Sequence, residues 1–331
     1  MKMILAGDIG GTKTNLALFE KATGAELREV EQDSFPSREY DGLEAVIVEF
    51  LKGRQLPLEA ACFGVAGPVI NGVSKTTQLP WVVSEESLSR VLHLDNVRLL
   101  NDLEATAYGV LVLKSDAFVT LNQGEPKGQG NIAVIAVGTG MGASALVWDG
   151  ARYHATASEA GHADFAPRNE PEIEFLRYML TIKHRISYER ILSGAGLVNI
   201  YNFLKERGHA EEPVWLTSVM AASEDQAATI SRLALAGETL ICVKALDLFV
   251  AVYGAQAGNL ALTFKATSGV YVGGGIAPKI IEKLKDGAFI KAFKDKGRLS
   301  PLVEATPVHV IMNQRTALVG AAEHAATRQM R

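Results

Sequence analysis

Gly7-Asp8-Ile9-Gly10-Gly11-Thr12-Lys13-Thr14-Asn15 is the stretch on which the reading of this chain turns. One tight turn offers backbone N–H groups, a carboxylate and hydroxyls. That chemistry suits the phosphates of a nucleotide and the metal that travels with them. Gly7 to Thr14 nearly fits the pattern G-x-x-x-x-G-K-[ST], but Thr12 stands where its second glycine belongs, and that motif opens a helix. Here Met3 to Ala6 precede the turn and Leu16 to Phe19 follow it, both short apolar runs. The flanks predict two strands, hence a β-hairpin. By itself the hairpin has two readings, a phosphate-holding turn or an ordinary glycine-containing turn.

A second strand–glycine turn–strand unit follows. Ile132 to Val137 is apolar, Gly138-Thr139-Gly140-Met141-Gly142 is the turn, and Ala143 to Val147 is apolar again. Two such turns in separate lobes can grip one nucleotide from opposite sides, although glycine hairpins are also common in their own right. The first hundred residues alternate strand and helix, as in an α/β lobe. Polar, turn-rich sequence from Asp116 to Gly130 marks a boundary. We therefore expect a smaller α/β lobe of residues 1–112 plus 304–331 and a larger one of 113–303. The second half reads as largely helical. Ser223-Glu224-Asp225-Gln226 has the capping-box form with Ser223 as cap, and a final Ala-rich helix runs from Thr316 to about Gln329. Val270 to Val272 leads into Gly273-Gly274-Gly275, which permits close approach of a flat ligand or a tight strand-to-helix turn.

A length of 331 residues favours two lobes. With 48% hydrophobic and 21% charged residues, the composition is that of an ordinary globular protein. A net charge of -4 and the lack of any dense Lys/Arg tract argue against a nucleic-acid partner. Two cysteines, Cys62 and Cys242, exclude a disulfide framework and any C-x-x-C metal spacing. They point to a reducing, cytoplasmic setting. No signal peptide opens the chain, and the apolar run Leu248 to Leu262 is interrupted by Gly254, Gln256, Gly258 and Asn259. We read it as a buried helix, short of the about 18 clean residues a membrane span needs.

Three further segments carry polar chemistry. Asn101-Asp102 follows the predicted strand Val97 to Leu100, at the carboxyl end where open α/β sheets place ligands. Asp102 suits a base accepting a hydroxyl proton, but taken alone it reads more readily as the N-cap of a helix from Leu103 to Leu113. Glu159, His162 and Asp164 lie within six residues and can bracket a polyhydroxylated ligand, hold a metal with His154, or form a solvated loop. The spacing of Glu159 and His162 is that of a di-metal helix, which Gly161 between them argues against. Glu189 is either a ligand contact or half of a surface ion pair with Arg185 or Arg190.

Taken in order, these segments resemble the bacterial glucokinase family, within the actin–hexokinase–sugar-kinase superfamily of two-lobed ATPases. The resemblance spans nearly the whole chain. Gly7 to Asn15 is similar to the first phosphate motif, Gly138 to Gly142 to the second, and Gly273 to Gly275 to the adenosine motif. Glu159 to Phe165, Glu189 to Gly194 and Asp295 to Arg298 resemble family signatures. The Thr77-Gln78-Leu79-Pro80-Trp81 stretch resembles the sugar-pocket loop, with Gln78 in place of Asn, and Ala160 replaces Gly. These departures bear on the shape of the pocket and the choice of hexose. The cysteine-rich zinc site of the related repressor–kinase group is absent.

The resemblance implies an actin-like (ribonuclease-H-like) two-lobed α/β fold with a nucleotide cleft between the lobes. It also implies an ATP-dependent hexose kinase that converts glucose to glucose 6-phosphate. Alternatives are a kinase for mannose, fructose or an amino sugar, an actin-like structural ATPase, and a sugar-responsive regulator. The last would need a DNA-binding helix-turn-helix, for which a first strand at Met3 leaves no expected room. ATP and Mg²⁺ are the implied cofactors, with Asp8 holding the metal through water. Asp8, Gly10, Gly11, Thr12, Lys13, Thr14, Gly138, Thr139, Gly140, Gly273, Gly274 and Gly275 are the implied nucleotide residues. Asn101, Glu159, His162, Glu189, Gln78 and Gly67 are the implied sugar residues, and Asp102 the catalytic base. A cytoplasmic homodimer in glycolysis, with no nucleic-acid or membrane partner, completes the expectation.

Overall fold

The structure, a computed structural model, describes residues 2–21, 27–54, 56–76, 78–126 and 128–327. Thr77 of the loop singled out above, the turn residues 22–25 and the end of the last helix, 328–329, lie outside them.

β1 (Met3–Ile9) and β2 (Lys13–Lys21) form the expected antiparallel hairpin, with Ile9 opposite Thr14 across the turn. β3 (Leu27–Pro36) extends it antiparallel to β2. Helix α1 (Leu43–Leu51) buries Leu43, Val46, Ile47 and Phe50, the positions that its amphipathic spacing selects. It returns the chain so that β4 (Leu58–Val65) runs parallel to β1. Short strands β5 (Val69–Ile70), β6 (Val73–Lys75) and β7 (Val82–Ser84) make a small antiparallel sheet. Ser84 caps α2 (Glu85–Leu92), its Oγ accepting from the Ser87 N–H at 3.1 Å. β8 (Val97–Asn101) then joins parallel to β4, and α3 (Asp102–Val110) follows without a linker. The first sheet is ordered β3-β2-β1-β4-β8.

The second half rebuilds this design. After β9 (Phe118–Asn122), the hairpin β10 (Ile132–Val137) and β11 (Met141–Trp148) is extended by β12 (Tyr153–Ser158). A helical segment follows: α4 (Glu170–Leu180), α5 (Gly194–Glu206), α6 (Val214–Ala222), α7 (Gln226–Leu235) and α8 (Leu240–Thr263). β13 (Gly269–Gly273) runs parallel to β10. After α9 (Ile281–Lys285), α10 (Ala288–Lys294) and α11 (Ser300–Glu304), β14 (Val308–Ile311) runs parallel to β13. The sheet order is β12-β11-β10-β13-β14-β9. Its first five strands thus repeat the first sheet's order of edge, hairpin and two parallel strands. The two turns found in sequence occupy the same place in each repeat.

Of residues 304–331, which the sequence joins to the smaller lobe, the described part divides between the sheets. β14 pairs with β13 and β9 in the second sheet, whereas α12 (Thr316–Thr327) packs on α3, β1 and β4. α3 and α12 cross closely between the sheets. A Cβ on Gly109 would overlap the Thr316 carbonyl, and one on Gly320 the Ala105 carbonyl. The core there joins Ile4, Ala6 and Ala17 to Val134, Leu146, Leu318 and Ala321.

Two expectations about helices change. The apolar run Leu248 to Leu262 is the inner part of a longer helix, α8. By length and composition α8 is able to cross a membrane, but 67% of its most apolar window is buried inside the fold. Its glycines are sites of close packing rather than interruptions: Gly254 and Gly258 face the Phe289 and Phe293 carbonyls of α10. For α7 the cap is Asp225, which accepts from the Ala228 N–H at 2.9 Å, and not Ser223, whose hydroxyl bonds Thr229 Oγ1 at 2.8 Å. The shorter reach of Asp225 to the third amide of this helix wins over the S-x-x-Q pattern.

Candidate active site

The two glycine turns face one cleft of about 610 Å³. In the first, the Gly10 N–H bonds the Lys13 carbonyl at 2.9 Å, which closes the turn. Ser37 braces it from behind: its N–H donates to the Thr12 carbonyl at 3.0 Å and its Oγ to the Gly10 carbonyl at 2.8 Å. The Thr14 hydroxyl belongs to this brace. It is fully buried, 3.0 Å from Ser37 Oγ, and so does not face the cleft as expected for a phosphate contact. Ser37 itself went unread because it lies on a separate segment after β3.

In the second turn the Gly138 N–H bonds the Gly140 carbonyl at 2.8 Å, and the Gly138 carbonyl accepts from the Gly194 N–H at 3.0 Å. Gly274, at φ +86, lies against Val137, whose backbone a Cβ would strike. Of the three consecutive glycines, Gly274 lines the cleft and Gly275 a second cavity. Gly273 is buried at the end of β13, its carbonyl accepting from the Tyr253 hydroxyl at 3.2 Å. It lines neither of these two cavities.

Asp102 lies where the sheet delivers it, at the carboxyl end of β8 and in the first turn of α3. Its sequence left open whether it caps the helix. Asn101 is the cap instead: its Oδ1 accepts from the Leu103 N–H at 2.9 Å, and Glu104 Oε2 accepts from the Asn101 N–H at 3.1 Å. With Asn101 as cap, Asp102 lines the cleft, its Oδ1 also accepting from the Leu103 N–H at 2.9 Å. Asn101 Nδ2 also donates to the Gly67 carbonyl at 3.2 Å, which fixes the β4–β5 turn beside it. Burial, with the nearby Asp8 charge adding to it, pushes the Asp102 carboxyl up to about 6, against hydrogen bonds from the Leu103 N–H and Asn101. Burial likewise raises Asp8, against a hydrogen bond with Asn15.

Opposite lies the polar cluster. Glu159 and His162 line the cleft with His162 Nε2 4.0 Å from Glu159 Oε2, both side chains exposed. Gly161 between them presses on the Met141 carbonyl, a contact any side chain would prevent. Asp164 turns away to pair with Arg185 at 2.7 Å, and Arg185 also bonds the His162 carbonyl. Glu189 is therefore not the partner of Arg185. Its Oε2 accepts from the Met141 N–H at 3.3 Å and lies over Gly140. The metal alternative for this loop finds no support in the geometry: His154 pairs with Asp149 at 2.6 Å, and no group of three His, Cys, Asp or Glu able to hold a metal occurs among the described residues. On the near side, Gln78 lies over Gly11, where it would overlap a Cβ.

One cleft thus collects Gly10, Gly11, Thr12 and Lys13 from the first turn and Gly138 to Gly140 from the second, with Gly67, Gln78, Asn101, Asp102, Glu159, His162 and Glu189. Gly138 and Thr139 also line an adjoining cavity of about 1230 Å³. Glu224, Ala227, Ala228 and Arg232 from α7 and the segment before it line it, with Lys279 from the short helix 277–280. Sequence reasoning missed this lining, because no short motif joins residues so far apart. The signature Asp295 to Arg298 lies elsewhere: the Lys296 ammonium donates to the Ala255 carbonyl at 3.0 Å and braces α8.

A duplicated hairpin-and-crossover sheet, two glycine turns facing one cleft, and a buried carboxylate at a strand end are the architecture of a two-lobed protein of the actin-like ATPase class. The glucokinase family model matches residues 5–328. A glucokinase of Nostoc sp. is 41% identical, covering 98% of this chain and 99% of its own. One of Klebsiella pneumoniae is 33% identical over 98% and 97%. The crystal structure of a glucokinase from an Antarctic psychrotroph superposes with TM-score 0.86 at 28% identity, covering 99% of this chain and 100% of that one. The chain belongs to the glucokinase family, whose members are ATP-dependent hexose kinases.

Proposed function

We propose that this enzyme transfers the γ-phosphoryl group of ATP to the 6-hydroxyl of glucose, giving glucose 6-phosphate and ADP, with Asp102 as the base. The observation that carries this reading is the placement of Asp102 in one cleft with both phosphate turns and with Glu159, His162 and Glu189. The nucleotide base and ribose occupy the larger cavity, and the triphosphate runs past Gly138 and Thr139, which line both. Backbone N–H groups of Gly10 to Thr12 and Gly138 to Gly140, the Thr12 and Thr139 hydroxyls and the Lys13 ammonium hold the phosphates. Asn101, Glu159, His162 and Glu189 bind the sugar hydroxyls, with Gln78 and Gly67 at the pocket's edge.

Asp102 accepts the 6-hydroxyl proton as that oxygen bonds to phosphorus and the bond to the ADP oxygen breaks. Positioning and charge neutralisation supply most of the acceleration in such transfers. Asp8, half-buried just before the first turn, does not itself line the cleft, but its charge reaches Asp102, a setting suited to a divalent cation. Asp8 would hold Mg²⁺ through water, since Mg²⁺ keeps much of its hydration shell. When bound, Mg²⁺ neutralises charge on the phosphates.

Gln78, where the family resemblance leads one to expect Asn, supports a second reading with another hexose as the preferred acceptor. ADP release measured with glucose, mannose, fructose, glucosamine and N-acetylated sugars separates the two. A highest kcat/KM for glucose supports the first reading, and a higher value for any other sugar overturns it. The same reading has the enzyme act in the cytoplasm, in glycolysis and as a homodimer. Two free, buried cysteines support the reducing compartment, and sedimentation of the purified enzyme tests the dimer.

A further inference from the structure

Leu103, the residue after the base, has no polar group and no part in the steps above. Its backbone N–H donates to Asp102 Oδ1 and to Asn101 Oδ1, each at 2.9 Å, so its position and that of the base are tied. Its side chain crosses to the second sheet. A Cβ built on Gly142 of β11 would lie 2.8 Å from Leu103 Cδ2 and 3.0 Å from Cγ, and its three nearest heavy atoms all belong to Leu103. Gly142 pairs with Ala136 in the hairpin whose turn is Gly138 to Gly140. The isobutyl group therefore fills the notch left by a missing side chain, two residues beyond the phosphate turn. α3 packs on β4 and β8 of the first sheet and on β10, β11 and β12 of the second. The helix that begins with the base is wedged between both sheets, and Leu103 is its contact nearest to both halves of the chemistry.

We propose that Leu103 is a positioning residue: seated on Gly142, it sets the distance between the Asp102 carboxylate and the second phosphate turn. Phosphoryl transfer is sensitive to this distance, since a displacement of about 1 Å costs on the order of 10²-fold in rate. Gly142 does not have a positive φ, so alanine there brings no backbone strain. Its one steric consequence is pressure on Leu103, at a distance tighter than real Cβ atoms adopt.

The inference rests on the glucokinase reading, and the test separates the two. Gly142→Ala is expected to lower kcat roughly 10- to 100-fold while KM for glucose and ATP stays within about threefold. Adding Leu103→Val, which removes one methylene, is expected to restore kcat to within about threefold of the parent. Leu103→Ala alone is expected to lower kcat with KM kept, and it decides the matter should Gly142→Ala fail to fold in a thermal melt. Parental kcat in Gly142→Ala, failure of Leu103→Val to restore a folded Gly142→Ala, or an unchanged kcat in Leu103→Ala overturns the proposal. A parent enzyme that releases no ADP in response to glucose overturns the reading beneath it.

Discussion

Asp8 and Asp102 stand close enough that the charge of one raises the other: after burial, Asp8 is the second cause lifting the Asp102 carboxyl to about 6. Asp8 is the penultimate residue of β1 and Asp102 begins α3, the helix that follows β8, so the sheet brings them together from distant parts of the sequence. A general base works best with a pKa near the operating pH. Above about 6 Asp102 is ionised and competent; below it the carboxyl is protonated and accepts nothing. We expect kcat/KM for glucose to fall about tenfold per pH unit below that point. A profile flat from neutral pH down to 5 would contradict the assignment.

The same shift has a cost in stability. A carboxylate raised in the fold disfavours the folded state above its folded pKa, and the cost is relieved as pH falls through that value. Asp102→Asn removes it. This variant is expected to lose kcat by about 10² or more, keep sugar binding, and melt roughly 2–4 °C higher at neutral pH. Loss of activity together with a lower melting temperature would indicate a structural rather than a catalytic role.

Glu189 has two tasks that different substitutions separate. Glu189 lines the cleft, where sugar binding is proposed, and its Oε2 holds the Met141 N–H at 3.3 Å beside Gly140. Glu189→Gln keeps an oxygen for Met141 and loses the charge, so KM for glucose is expected to rise about tenfold with KM for ATP nearly unchanged. Glu189→Ala loses both, and KM for ATP is expected to rise as well. Equal effects of the two variants on ATP would rule out the brace on the phosphate turn.

Gln78 rests on Gly11, so a residue proposed at the edge of the sugar pocket touches the first glycine turn. Gln78→Asn withdraws the amide by one methylene. The ratio of kcat/KM for glucose to that for mannose is expected to change by about threefold or more, within the range that small changes in pocket shape produce. An unchanged ratio removes Gln78 from the determinants of hexose choice.

Much of this site was legible in sequence because its chemistry is local. Each glycine turn sits between its own apolar strands, and Asn101-Asp102 follows its strand directly. The pattern Asn101-Asp102-Leu103-Glu104 contains the capping box that makes Asn101 the cap, yet a single aspartate at a helix start reads more readily as the cap itself. What stayed hidden depends on tertiary contact. Ser37 braces the first turn from after β3, the wall of the larger cavity gathers distant segments, and β14 joins the second sheet despite its place near the chain's end. Thr14 looked like a phosphate contact because strand alternation alone did not say which face it takes; the register with Phe35 of β3 turns it inward.

The central claim is glucose-dependent phosphoryl transfer with Asp102 as base. Its most direct test follows ADP release by the parent enzyme and by Asp102→Asn, with and without glucose, and locates the phosphate on the product by NMR. ADP release is expected to require glucose, with phosphate on the 6-oxygen and near-silence in the variant. ADP release independent of sugar, or a variant that turns over glucose at the parental rate, would contradict it.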